Sequence, residues 1–127
     1  MRSPADLAAQ LMRKAANDLA AARIGLEHAA PVDTVCFHIQ QAAEKLLKAA
    51  LAAKDLDYPF THELRELMEL AVPHYPVLEG FTATVPEYTE YAVRVRYDDL
   101  PWITRDEAER AFREVERMRE ALLPLVP

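Results

Sequence analysis

Cysteine, glycine and tryptophan are scarce in this chain of 127 residues. A single cysteine, Cys36, leaves no internal disulfide framework and no cysteine-cluster metal site. The two glycines, Gly25 and Gly80, are too few for a barrel or sandwich with many tight turns. They also supply no glycine-rich phosphate loop. The four histidines, His28, His38, His62 and His74, lack His-x-x-x-His spacing, so no metal and no other cofactor is expected. There is no Gly-x-Ser-x-Gly nucleophile motif. No excess of positive charge exists: the formal net charge is −6, so any nucleic-acid contact needs a local basic patch rather than bulk attraction. No apolar run approaches the roughly 18–20 residues of a membrane span. The first residues, Met1 to Asp6, lack the apolar core of a signal peptide. With 51% hydrophobic residues the chain is too apolar to be disordered. The expectation is one domain, residues 1–127, located in the cytoplasm and without a membrane partner.

Nine prolines divide the chain into stretches rich in Ala, Leu, Glu and Arg, which are good helix formers. Ser3 as cap, Pro4 at N1 and Asp6 in the first turn open a first helix that should run to about His28 or Ala29. Leu7, Leu11, Ala15, Ala22 and Leu26 form its apolar face, flanked by Met12 and Leu19. A second helix follows Pro31, with Asp33 as a cap and Lys54 and Asp55 at its end. Its broad stripe of Val35, Ile39, Ala42, Ala43, Leu46, Leu47 and Ala50 should be largely buried. A third helix is expected to start at Thr61 and to pack Leu64, Leu67, Met68 and Ala71. A loop with Pro73, His74, Tyr75, Pro76 and Gly80 precedes a fourth helix over about Pro86 to Val95. Thr104 and Glu107 form a capping box for the last helix. Its core face is Ala108, Ala111, Phe112, Val115, Met118 and Leu122. Its outer face sets Asp106, Arg110 and Glu114, then Arg113 and Glu116, at salt-bridging intervals. No strand is expected. The fold class is all-α, an up-and-down antiparallel bundle of four to five helices.

The second helix turns a polar face outward: Thr34, Phe37, His38, Gln41, Glu44, Lys45 and Lys48. Phe37 among polar neighbours either anchors a partner, with Gln41 and Lys48 beside it, or lies under a loop of its own chain. His38 and Lys45, two turns apart on one edge, are either a ligand site or part of a solvated face. His62 after the Thr61 cap is either an anion-binding spot at a helix N-terminus or a histidine bonded to the bundle. Tyr91-Ala-Val-Arg94-Val-Arg96-Tyr97-Asp-Asp99 joins arginine forks to stackable rings, as nucleotide contact requires. Its alternative is structural, with Arg94 and Arg96 paired to Asp98, Asp99 or Asp18.

Cys36-Phe-His-Ile-Gln-Gln-Ala-Ala-Glu-Lys-Leu-Leu-Lys48 resembles the signature of the HEPN domain (higher eukaryotes and prokaryotes nucleotide-binding). Three segments agree in order: Ala16-Asn-Asp18-Leu19, Thr61-His62-Glu63-Leu64, and Tyr91 through Asp98. The resemblance covers nearly the whole chain. It implies a helical bundle, usually a homodimer, often encoded beside a minimal nucleotidyltransferase in a toxin–antitoxin-like pair. Some HEPN proteins are metal-independent ribonucleases, with an Arg followed after four to six residues by His near the start of the last long helix. Here the corresponding positions after Arg94 hold Asp99, Leu100 and Pro101, and those after Arg96 hold Pro101, Trp102 and Ile103. Arg23 and His28 have the spacing but sit at the end of the first helix, where the family does not carry the motif. The residues carried over are Asp18, His38, Lys45, His62, Arg94, Arg96 and Tyr97, as a ligand or partner surface without a catalytic role.

Three functions follow as alternatives. The first is a non-catalytic dimeric module that binds a minimal nucleotidyltransferase, a nucleotide-like anion or RNA. The second is a divergent ribonuclease using His38 or His62 with Arg94 or Arg96. The third is a purely structural oligomerisation bundle.

Overall fold

The computed structural model describes residues 2–94 and 103–127, and every regular element among them is helical. The α-helices are α1 (Pro4–Glu27), α2 (Val32–Ala53), α3 (Leu64–Ala71), α4 (Thr89–Arg94) and α5 (Arg105–Leu122). Three 3-10 turns, Val72–His74, Pro76–Phe81 and Val85–Tyr88, lie between α3 and α4. The expected all-α bundle is what forms.

The start of α1 follows its local chemistry. Ser3 Oγ accepts the Asp6 N–H at 3.1 Å, and Asp6 Oδ2 accepts the Ser3 N–H at 3.2 Å, a reciprocal capping box. These bonds to Ser3 hold the Asp6 carboxyl below its ordinary range. The buried face is rotated from the expected one. Ala8, Met12, Ala15, Leu19 and Ala22 are buried, whereas Leu7, Leu11 and Leu26 are only partly covered. Small residues take the centre because α1 and α2 approach closely there.

α2 is the central element and touches α1, α3, α4 and α5. Its expected stripe is buried throughout, and Cys36, Ala49, Leu51 and Ala52 are buried as well. Pro31, not Asp33, is the N-cap residue; the Asp33 carboxylate lies inside the first turn and accepts the Thr34 N–H at 2.9 Å. Both long helices end alike. The Ala30 N–H reaches Gly25 O at 2.8 Å and the Leu56 N–H reaches Leu51 O at 3.0 Å. Left-handed Ala29 (φ 55°) and Asp55 (φ 53°) make these two turns.

α3 begins later than expected. Thr61 Oγ1 accepts the Glu63 N–H at 3.0 Å in a local turn, and the helix starts at Leu64. Thr89 Oγ1 accepts the Leu64 N–H at 2.9 Å, so α4 caps α3 from outside. The proline-rich stretch expected as a loop winds into 3-10 turns. The expected fourth helix splits into a 3-10 turn and α4, and Val95 lies outside the described residues. Tyr75 is buried and donates its hydroxyl to Ala50 O at 2.7 Å.

α5 carries the expected Thr104–Glu107 capping box and buries its expected face. Its outer charges pair differently from the expectation. Arg105 meets Glu109 at 3.9 Å, Arg23 of α1 bonds Glu116, and Glu114 accepts from the hydroxyls of Thr84 and Tyr88. Glu114 and Glu116 brace neighbouring elements, whereas Glu109 pairs within α5. No helix among the described residues is long and apolar enough to cross a membrane.

Candidate functional site on the polar stripe of α2

At about 100° per residue, one side of α2 orders its residues across the surface. Gln40 and Glu44 form one edge, Phe37, Lys48 and Gln41 the middle, and Lys45 and His38 the other edge. A buried carboxylate anchors each edge.

Asp18 projects from α1 and is 8% exposed. Its Oδ1 lies 2.9 Å from His38 Nδ1, and its Oδ2 accepts from Lys45 Nζ at 2.6 Å. His38 and Lys45 therefore do act together, two turns apart, through one carboxylate. Asp18 meets these two side chains; the side chains of Arg94 and Arg96, considered as its partners, lie outside the described residues. A carboxylate facing Nδ1 calls for a proton on that nitrogen, so Nε2 of His38 is turned away from it.

Glu44 is 5% exposed and serves the other edge. It accepts from His62 Nδ1 at 2.9 Å, Gln40 Nε2 at 3.3 Å and Lys48 Nζ at 3.2 Å. Gln40 Nε2 also lies 3.5 Å from His62 O, so the connector before α3 is pinned through side chain and backbone. His62 consequently leans onto a carboxylate of its own chain. It is not the anion spot at a helix start, because Glu63 is the N-cap of α3. Glu44 and Gln40 are the site residues that sequence reasoning missed. Their one local signal was the spacing of Glu44 to Lys48.

Phe37 stands between the edges, 47% exposed, with its ring edge-on to His38 at 5.3 Å. Gln41 beside it donates to Gln40 Oε1 at 2.8 Å. Lys48 is less accessible than expected of an interface residue. Its side chain is 15% exposed, bound to Glu44 and set 6.0 Å over the Tyr58 ring. His38 and His62 occupy opposite edges of the stripe. Arg94 ends α4, and its side chain, with all of Arg96 and Tyr97, lies outside the described residues. Among the described residues no His, Cys, Asp and Glu side chains converge as a metal site.

The stripe holds its cations in fixed positions around one accessible ring. Such an arrangement suits recognition: the donors are ordered, and the apolar group at the centre is unburied. The HEPN domain model matches residues 8–125, from the first turns of α1 to beyond the end of α5. The chain belongs to the HEPN family. No curated protein and no solved structure matches it. The matched span of this HEPN domain contains both carboxylate hubs and Phe37.

Proposed function

We propose that this HEPN chain is a non-catalytic dimeric module that docks a minimal nucleotidyltransferase on the polar stripe of α2, in a cytoplasmic, toxin–antitoxin-like pair. The observation that carries the reading is Phe37, half-exposed at the centre of a stripe whose other members are held in place. Aromatic residues at the centre of a contact dominate binding energy, and polar surroundings exclude water from them. Ordered neighbours lose little entropy on association. Asp18 fixes His38 and Lys45, and Glu44 fixes Lys48. The family supplies the class of partner, since many HEPN proteins act with an adjacent nucleotidyltransferase. The ribonuclease motif of the family has no counterpart here, because no histidine follows His74.

A nucleotide-like anion is a second ligand class for the same surface. Lys45 spends one of its three N–H groups on Asp18, so donors remain on that edge.

Calorimetric titration of the purified chain with a minimal nucleotidyltransferase, with ATP and with short RNA separates the readings. Saturable heat with the protein, lost in Phe37→Glu, supports docking. Heat with ATP or RNA alone, indifferent to Phe37→Glu, moves the function to anion binding. Metal-free RNA cleavage abolished by His38→Ala or His62→Ala would replace both with a ribonuclease.

A further inference from the structure

Phe60 is 96% exposed, yet the connector that carries it is tightly held. Pro59 precedes it, Thr61 turns onto Glu63, and His62 is bound to Glu44 by its ring and to Gln40 by its carbonyl. The His62 ring also lies edge-on to Phe60 at 6.0 Å. The ring is thus displayed to solvent from an anchored stretch of backbone.

α3 follows directly, and its outer side lines a groove of about 360 Å³. Met68, Val72, Pro73 and Pro86 supply apolar walls, with Arg65 and Glu69 on the rim. Phe60 does not fill this groove in its own chain, since it is almost wholly exposed. An exposed knob and an open apolar groove therefore lie next to each other along the chain.

We infer that the groove receives Phe60 of a second copy, so that two chains associate through antiparallel α3 helices about a two-fold axis. In such an isologous contact one patch meets itself, and residues equally distant from the axis face each other. An axis at the level of Leu67 sets Arg65 opposite Glu69 of the second copy, and the reverse contact repeats it. The same two-fold axis lays the connector before α3, which carries Phe60, toward the end of the second copy's α3, where Val72 and Pro73 line the groove. Arg65, Glu69 and Val72 share one side of α3 at helical spacing, so charge and apolar matches fall on a single strip. This inference rests on the dimer in the reading above and gives it a face of its own.

Light scattering over a range of concentrations, with Phe60→Glu, Arg65→Glu and the double variant Arg65→Glu/Glu69→Arg, tests it. These positions are exposed, so circular dichroism and melting should match the wild type. The expected result is a wild-type dimer whose dissociation constant rises about tenfold or more in each single variant. The double variant should return toward wild type, because reversing both charges restores the pair. A Phe37→Glu chain should remain dimeric. A dimer indifferent to Phe60→Glu and Arg65→Glu overturns this face while leaving the dimer intact. A double variant as weak as Arg65→Glu overturns the antiparallel register. A wild-type chain that is monomeric throughout overturns the dimer and this face together.

Discussion

A methyl group added at Gly25 would meet Val35 Cγ2 at 2.8 Å, against a side chain with one stiff torsion. Replacing glycine by alanine inside a helix ordinarily gains about 1 kcal/mol. Here overpacking of the α1–α2 contact should reverse the sign and cost about 1–2 kcal/mol in urea unfolding. Adding Val35→Ala to Gly25→Ala should recover part of the loss. Asp18→Ala leaves Lys45 and His38 without their carboxylate. Breaking a buried pair costs about 3–5 kcal/mol, but Lys45 and His38 keep 24% and 28% of their side chains in solvent, so about 2 kcal/mol is expected. Urea unfolding of Asp18→Ala at neutral pH checks this value. Tyr88 gives a pH dependence of definite sign. Burial, then the hydrogen bond to Glu114, raises its hydroxyl above the ordinary 10.0, and burial raises Tyr58 and Tyr75 in the same direction. A raised pKa means that the folded state holds the proton more tightly. The stabilisation is fully present below about pH 10 and is lost as pH climbs through the folded value. Unfolding free energy should fall above that point, and less steeply in Tyr88→Phe.

At the scale of elements, the ends of α1 and α2 place non-glycine residues in left-handed backbone. An alanine there costs about 1 kcal/mol that glycine does not, whereas aspartate tolerates the conformation better. Ala29→Gly should raise stability by about 1 kcal/mol and Asp55→Gly by less, measured by thermal unfolding. Both helix ends were legible, near His28 and at Lys54–Asp55, but the left-handed residues that make the turns were not, because the usual glycine signal is missing from both. The Ser3 and Thr104 starts were legible, since a capping box needs only residues three apart. The start of α3 was misread for the related reason that a threonine oxygen serves a turn as readily as a helix. The α5 core face was legible because 3.6-residue periodicity survives any tertiary arrangement.

At the scale of the molecule, the bundle turns distant polar residues into two hubs around one helix. Asp18 meets His38 across the α1–α2 pairing, and Glu44 meets His62 only after the connector doubles back. Neither pairing has a local signature, so the sequence indicated the participants Asp18, His38, Lys45 and His62 without their partners. Glu44 looked like an ordinary polar-face residue, and Gln40 lay outside the expected polar face, until burial made them necessary acceptor and donor. Phe37 was legible as an apolar residue among polar ones, and Phe60 was not, because a connector carries no periodicity. Docking on the α2 stripe predicts that partner contact centres on Phe37 and spares Ile24, which is 59% exposed on α1. Photocrosslinking from a benzophenone amino acid at either position, with a minimal nucleotidyltransferase as the partner, tests this most directly. A covalent adduct from position 37 and none from position 24 is the predicted result. No adduct from position 37, or equal yield from both, would contradict the account.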